Sequence, residues 1–305
     1  MLVQQHEQKA FLSWMRETGN MFTGDEYQTR LGIWIANKRL VQERNRANLG
    51  FTVALNRLAH LTPAEYQALL GYCNNGVSVK AVKSNAVCID EIDWRSKGVV
   101  NPVQDQGQCG SCWAFSAIQA QESQYAITYS NLQKLSEQNL VDCVSTCYGC
   151  NGGLMTSAYD YVINHQNGKF MLEKDYSYTA AEGSCKFEAT KAVSKITSYI
   201  PVAEGDEKDL AVKIATYGPA AVAIDASAWS FQVYSSGIYD EPSCSSYNLD
   251  HGVGCVGFGK EGSKNYWIVR NSWGEYWGEK GYIRMIKDKN NQCGIATMAC
   301  IPVDK

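Results

Sequence analysis

No stretch of the 305-residue sequence comes near the roughly 18 consecutive apolar residues of a membrane-spanning helix. The opening residues, MLVQQHEQKAF, lack the apolar core of about 7–15 residues that marks an ordinary signal peptide. Either the signal is atypical or the chain begins after it. Excess positive charge is lacking too. Lys and Arg number 28 against 31 Asp and Glu, a formal net charge of −3, which excludes the basic footprint of a general nucleic-acid binder. Internal repeats and low-complexity tracts are absent. Histidine is scarce: His6, His60, His165 and His251 are the only four, so an imidazole base has few possible sources.

Cysteine is the opposite case. Twelve are present, Cys73, Cys88, Cys109, Cys112, Cys143, Cys147, Cys150, Cys185, Cys244, Cys255, Cys293 and Cys300. That is many for a cytosolic protein, where reducing conditions make disulfides rare. A free buried thiol suits Cys255 best, in the apolar run GVGCVGF. Hydrophobic content of 45% and charged content of 19% are those of an ordinary soluble globular protein. The length suffices for a sizeable core and for two domains.

The chain changes character along its length. Residues 1–72 read as helical, with Leu31, Trp34, Ile35 and Val41 at amphipathic spacing between Phe22 and Asn48. Residues 73–90 have no period and read as a linker, hence a processing site. Helices are predicted over 112–128, from an N-cap at Ser136, and from Gly153 to about Asn164. From about residue 190, ITSYIPV, AAVAID, HGVGCVGFG, NYWIVRNSW and GYIRMIK read as strands. A helical half before a β half is an α+β order, with an antiparallel sheet or barrel in the second half.

Two C-x-x-C pairs, Cys109-Gly-Ser-Cys112 and Cys147-Tyr-Gly-Cys150, allow three chemistries. Zinc is disfavoured by the 34 residues between Cys112 and Cys147, since the strong pattern separates its pairs by about 15–20. A thioredoxin-like redox pair needs a βαβ context, and the preceding WRSKGVVNPVQDQGQ is loop-like. The third chemistry is a nucleophilic thiol. Cys112 opens a predicted helix, where the helix field favours a thiolate. Three of the histidines read as solvated or capping. His251 stands at the mouth of a predicted strand beside Gly252, and Asn271 ends another strand among tryptophans. A buried amide oxygen there can fix an imidazole tautomer.

These residues carry a resemblance. CGSCW matches the signature around the nucleophile of papain and the cathepsins, and His251 and Asn271 follow Cys112 by 139 and 159 residues, close to that family's offsets. PVQDQGQCGSCWAFS, LSEQNLVDC, YGCNGG, LDHGVGCVGFG, NYWIVRNSWGEYWGEKGYIRM and CGIATM extend the likeness over residues 90–305. It implies a papain-like fold, helical and β-barrel-like subdomains with a catalytic cleft between. Cys112 would be the nucleophile and His251 its partner in an ion pair. Asn271 would orient His251, and Trp273 would shield their bond from water. Gln106 would donate to the oxyanion beside the backbone N–H of Cys112. The resemblance also implies disulfides Cys109–Cys150, Cys143–Cys185 and Cys244–Cys293. Cys73, Cys88, Cys147, Cys255 and Cys300 are left without family partners, an odd number, so at least one is free or intermolecular.

The N-terminal part resembles the inhibitory prosegment of cathepsin L-like zymogens. Glu26, Arg30, Trp34, Asn37, Val41 and Asn45 keep that prosegment's interrupted helical pattern. Its second motif is degraded: of Ala54, Asn56, Leu58 and His60, only Asn56 matches. His60 stands where the family usually has Asp, and a His that titrates nearer neutrality would loosen the prosegment at a higher pH than Asp. The inhibitory strand would cross the cleft in reverse near Leu70 to Cys73, bringing Cys73 toward Cys112. Cleavage is expected between about Asn85 and Asp90. It would divide a prosegment, 1–87, from a peptidase domain, 88–305, helical over about 98–195 and β over about 196–292, with a tail returning to the helical part.

Gly152 and Gly153 would hold the substrate backbone. Leu154, Met155, Ala223, Leu249, Gly252 and Met298 would line the S2 pocket, all small or apolar, so large apolar P2 residues are expected and Arg is not. Nothing long or histidine-rich follows Cys150, which favours an endopeptidase over a carboxydipeptidase. No metal or cofactor is implied. Expected partners are protein or peptide substrates, the prosegment itself and cystatin-like inhibitors, for a monomer that binds no nucleic acid. The expected location is an acidic, lysosome-like compartment, the exterior, or both. The alternatives are a redox protein using Cys109 and Cys112, or a binding protein on the same fold, which would normally have lost Cys112, His251 or Gln106.

Overall fold

The computed structural model describes residues 3–74, 81–84 and 89–304. The N-terminal part is built on two helices, α1 (Gln5–Thr18) and α2 (Gly24–Arg46). A capping box joining Gln4 and Glu7 starts α1, and Gly19 at φ 71° stops it. Phe11 locks the pair together, its ring stacked on Trp14 at 5.4 Å and tilted against Trp34 at 5.5 Å. Next come a short strand, β1 (Phe51–Val53), and α3 (Pro63–Gln67), which opens with a Thr62–Glu65 capping box and proline in its first turn. Strand β1 is too short for a sequence signal. It exists because it pairs with Tyr234–Gly237 of the later chain.

The remainder begins with β2 (Ile92–Asp93) and continues into α4 (Cys112–Tyr129), α5 (Glu137–Cys143) and α6 (Met155–His165). Ser136 caps α5 as predicted, its Oγ accepting from Asn139 N at 2.9 Å. Helix α4 is buried nearly all round, from Cys112 to Ser123 without a break, which marks a helix enclosed by protein. It lies between α6 and the sheet. Gly254 lets it approach closely, because a Cβ there would meet the Gln119 side chain at 2.2 Å. Two short strands, β3 (Phe170–Met171) and β4 (Ala192–Val193), close the helical part.

The β part contains β5 (Ile196–Pro201), α7 (Glu207–Tyr217), β6 (Ala220–Ile224), α8 (Trp229–Gln232), β7 (Tyr234–Tyr239), β8 (His251–Glu261), β9 (Lys264–Arg270), β10 (Tyr282–Ile286) and β11 (Ala299–Asp304). One sheet runs β1-β7-β10-β9-β8-β6-β11-β5, with β2 on β8. The fold is α+β and papain-like. Five predicted strands are present. Helix α7 and strands β7 and β11 were not predicted. The tail does not leave the sheet: β11 pairs with β5 and β6, while Cys300 packs into the apolar cluster around α4.

The three disulfides implied by resemblance are formed, Cys109–Cys150, Cys143–Cys185 and Cys244–Cys293. Cys73, Cys112, Cys147, Cys255 and Cys300 carry free thiols, and Cys88 lies outside the described residues. Burial pushes Cys147 up to about 11 and both Cys255 and Cys300 up to about 12, so all three are protonated and unreactive at neutral pH.

Candidate active site

The first residue of α4 is Cys112, fully buried at the junction of the helical and β parts. Strand β8 delivers His251 and Gly252 to it. The Gly252 N–H donates to Cys112 Sγ at 3.3 Å. A Cβ on Gly252 would stand 3.2 Å from the Cys112 carbonyl oxygen and from Trp113 N, so β8 and the start of α4 are in close approach here. His251 is held by Asn271, Nε2 to Oδ1, at 2.8 Å. Ser272 N also donates to that Oδ1 at 2.8 Å, which fixes the amide oxygen toward the ring. Nε2 must therefore carry the hydrogen, leaving Nδ1 as the basic nitrogen. Nδ1 is buried and makes no hydrogen bond. Trp273 stacks on the imidazole at 4.8 Å and is itself braced edge-on by Phe231 and Trp277.

Gln106 reaches the same place from the loop before α4. Its Oε1 accepts from Ser272 Oγ at 2.8 Å, and its Nε2 donates to Cys109 O at 2.8 Å and to Leu69 O at 2.9 Å. Tyr178 braces the loop, its hydroxyl on the Gln106 carbonyl at 2.7 Å and on Ser111 Oγ at 2.6 Å. Ser272 and Tyr178 carried no sequence signal, because each acts only through a distant partner.

Leu69 shows that the cleft is occupied. Gly71 N donates to Cys112 Sγ at 3.2 Å. Gly153 N donates to Gly71 O at 2.9 Å, and Cys73 N donates to Gly153 O at 3.0 Å. From the other wall, Tyr72 N donates to Asp250 O at 3.0 Å. The pairing of Tyr72 with Gly153 is parallel. Tyr72 is buried in one apolar cluster with Leu154, Met155, Ala223, Leu249 and Met298, five of the six predicted S2 residues, while Gly252 stands against Cys112. A Cβ on Gly71 would fall 1.8 Å from Gly110 O, so only glycine passes there. Cys73 is not bonded to Cys112, and its Sγ lies against Asn151 O at 3.8 Å.

Burial under this strand sets the protonation state. It pushes the Cys112 thiol up to about 12, although the Gly252 and Gly71 N–H groups oppose it, and holds His251 down at about 4, opposed by Asn271. With the cleft covered both groups are neutral, so the ion pair expected from the sequence is suppressed. The redox alternative fails on connectivity, since Cys109 is bonded to Cys150 and Cys112 has no disulfide partner.

A family model described as papain family cysteine protease matches residues 88–303, and one described as cathepsin propeptide inhibitor domain matches residues 11–66. The chain belongs to the papain family of cysteine proteases. Among curated relatives, cathepsin L2 of Homo sapiens is 43% identical over 95% of this chain and 90% of its own length. Digestive cysteine proteinase 1 of Homarus americanus is 42% identical over 91% of this chain and 89% of its own. The solved structure of digestive procathepsin L 3 from Tenebrio molitor larval midgut superposes with a TM-score of 0.91 at 35% identity, covering 98% of this chain and 100% of that one. This papain-family chain is a cathepsin L-like precursor that carries its own inhibitory prosegment. Among the described residues no helix is long and apolar enough to cross a membrane.

The prosegment uses its family pattern as packing. Arg30 pairs with Glu65, Nη2 to Oε1, at 2.6 Å. Asn37 donates to Ala59 O at 2.7 Å and accepts from Trp229 Nε1 at 2.9 Å, tying α2 to the protease. Asn45 exchanges two hydrogen bonds with Val53. The surviving Asn56 donates to Gln232 O at 2.8 Å. His60 corrects the sequence reading. It is neither solvated nor capping but 8% exposed, wedged against Phe22 at 4.9 Å and Trp14 at 5.8 Å.

Proposed function

We propose that the processed protein is a cysteine endopeptidase in which Cys112 is the nucleophile, His251 the base and acid, Asn271 its orienting group and Gln106 the oxyanion donor. The observation that carries this is the His251–Asn271 bond, which presents an unpartnered Nδ1 from the residue preceding the N–H that sits on Cys112 Sγ. Departure of the prosegment readmits water and removes the burial that keeps both groups neutral. The thiol proton then passes to His251 Nδ1, and the thiolate attacks the substrate carbonyl carbon. The oxyanion is met by Gln106 Nε2 and the Cys112 N–H, a helix N-terminal amide without an intrahelical acceptor. His251 returns the proton to the leaving amine, giving a thioester. It next deprotonates a water that attacks the thioester, and the thiolate is released. Trp273 keeps water off the His251–Asn271 bond.

Gly152 and Gly153 hold the substrate as an added strand, and Leu154, Met155, Ala223, Leu249, Gly252 and Met298 receive a large apolar P2 side chain. Burial of Tyr72 in that cluster supports an aromatic-sized pocket. Processing between residues 85 and 90 divides the prosegment, 1–87, from the protease, 88–305, helical over about 98–195 and β to about 292. The working form is a monomer, open to cystatin-like inhibitors, in an acidic compartment or outside the cell. A peptidyl epoxide should label Cys112 after acid processing and leave Cys112→Ala untouched, and a positional scan should favour Leu, Val or Phe at P2. Labelling elsewhere, or a preference for Arg, would contradict these assignments.

A further inference from the structure

Residues 82–84 make a second contact with the protease domain, outside the cleft. Ser84 N donates to Asp209 Oδ1 at 2.8 Å, and the Val82 carbonyl accepts from Lys213 Nζ at 3.0 Å. Between them the Lys83 ammonium stands 2.9 Å from Asp206. Asp209 and Lys213 lie one turn apart on α7, each 3% exposed, joined at 2.7 Å. Their other bonds go to Ala203 N and Pro201 O, on the segment leading from β5 into α7. A buried ion pair is tolerated only where its remaining hydrogen-bonding sites are filled. The linker fills one on each partner, using a C=O and an N–H two residues apart, the spacing at which an extended strand points both to one side.

The side chain of Val82 is 86% exposed, so nothing about it is read. What is read is extended backbone with a positive charge at its centre. A cavity of about 620 Å³ continues past Lys83, lined by Glu204, Asp206, Glu207, Tyr247 and Asn291 among others. Lys83 is the one base among its lining residues. Tyr247, 80% exposed, also borders the cavity beside Tyr72 and Asp250, so the surface runs on from the edge of the cleft.

We propose that this face of α7 is a second peptide-recognition site of the processed enzyme, filled by residues 82–84 in the precursor and afterwards open to an extended basic segment of a protein substrate. Asp209 and Lys213 take its backbone, and Asp206 takes its base. The inference rests on the proteolytic processing proposed above. The test uses precursor that has been acid-processed and blocked at Cys112 with the epoxide, so the cleft cannot take part. A fluorescent peptide with the sequence of residues 79–86 is titrated against it. Saturable binding is expected, weakened about fivefold by Lys83→Glu in the peptide or Asp206→Asn in the enzyme. In unblocked enzyme, Asp206→Asn should leave hydrolysis of a short fluorogenic substrate unchanged and lower kcat/KM on a protein substrate with an exposed lysine-rich segment. Failure of labelling would sink the proteolytic reading and this site with it. Labelling without peptide binding, or equal binding of the Lys83→Glu peptide, would overturn this site alone.

Discussion

Replacing His60 with leucine should make the prosegment hold on at lower pH. His60 is packed by Trp14 of α1, Phe22 of the α1–α2 turn, Arg30 and Glu26 of α2 and Glu65 of α3. Its Nδ1 is buried without a partner, and Arg30 donates to its carbonyl at 3.2 Å. Burial, then the Arg30 charge, push the imidazole from 6.5 down to about 4, with Glu65 and Glu26 opposing. An unfolded prosegment takes up this proton near 6.5, and the folded one refuses it until about 4. His60 therefore leaves the docked state unpenalised above pH 6.5 and withdraws stability as pH falls from there to about 4. At about 1.4 kcal/mol per pH unit, the loss approaches about 3 kcal/mol. Glu65 cannot supply that window, because its hydrogen bonds with Arg30 hold it at about 2, so its contribution fades only below the ordinary 4.5.

The assay uses Cys112→Ala precursor, which cannot process itself, with tryptophan fluorescence and hydrogen exchange of α1 and α2 followed from pH 7 to 3. Wild-type His60 should lose protection progressively below pH 6.5. His60→Leu, which fills an apolar site without titrating, should stay protected to lower pH with a shallower slope. His60→Asp should also shift the loss downward, since a carboxylate beside Arg30 is not neutralised until near its own lower range. Identical midpoints and slopes for wild type and His60→Leu would refute the reasoning. The sequence-based expectation of an early release keeps its direction, but its cause moves to the unfolded state: the folded imidazole titrates far from neutrality.

Three further outcomes follow from the contacts. Gly71→Ala places a methyl against Gly110 O, and an overpacking cost of about 1–3 kcal/mol should speed epoxide labelling of unprocessed precursor at neutral pH by about 5- to 150-fold. The same substitution should not change kcat after processing, because residue 71 has left. Gln106→Ala should lower kcat of the processed enzyme about 10²–10³-fold with a smaller effect on KM, the signature of a donor used in the transition state. Replacing both Cys143 and Cys185 by serine opens a loop with a sequence separation of 42, and should cost about 4 kcal/mol, read as a lower Tm.

Chemistry was legible in the sequence where one residue type at one spacing has few uses, and packing was not. Cys112, His251, Asn271 and Gln106 lie on separate elements, and the fold gathers them at the start of α4. Asp206, which caps α7 through Asp209 N at 3.0 Å, was an available helix signal that the strand-rich surroundings obscured. Strand β11 contains Pro302, normally a mark against a strand. It is tolerated because β6 pairs only with Ala299 and Cys300, leaving Pro302 with β5 alone. His60 was misread because the aromatic and charged side chains around it come from four segments, and Trp14, Phe22, Glu26 and Arg30 are 30 or more residues away in sequence.

The same contacts explain why a strand lying on Cys112, the proposed nucleophile, survives there. Attack needs one carbonyl group whose oxygen meets the oxyanion donor while its carbon meets the sulfur. In the precursor those two demands fall on different residues. The oxygen on Gln106 Nε2 belongs to Leu69, while the group on Cys112 Sγ is the N–H of Gly71, two residues further on. That N–H consumes a sulfur lone pair and offers no electrophile. The parallel pairing of Tyr72 with Gly153 fixes this offset, because Gly71 O and Cys73 N are both bonded to Gly153 and the strand cannot slide by one residue without breaking both bonds. Tyr72, buried in the apolar cluster, pins the register further. The inhibitory strand therefore occupies the proposed substrate-binding and catalytic groups together while presenting no bond in position to be cut. Cleavage between residues 85 and 90, as proposed above, would fall on chain outside this register.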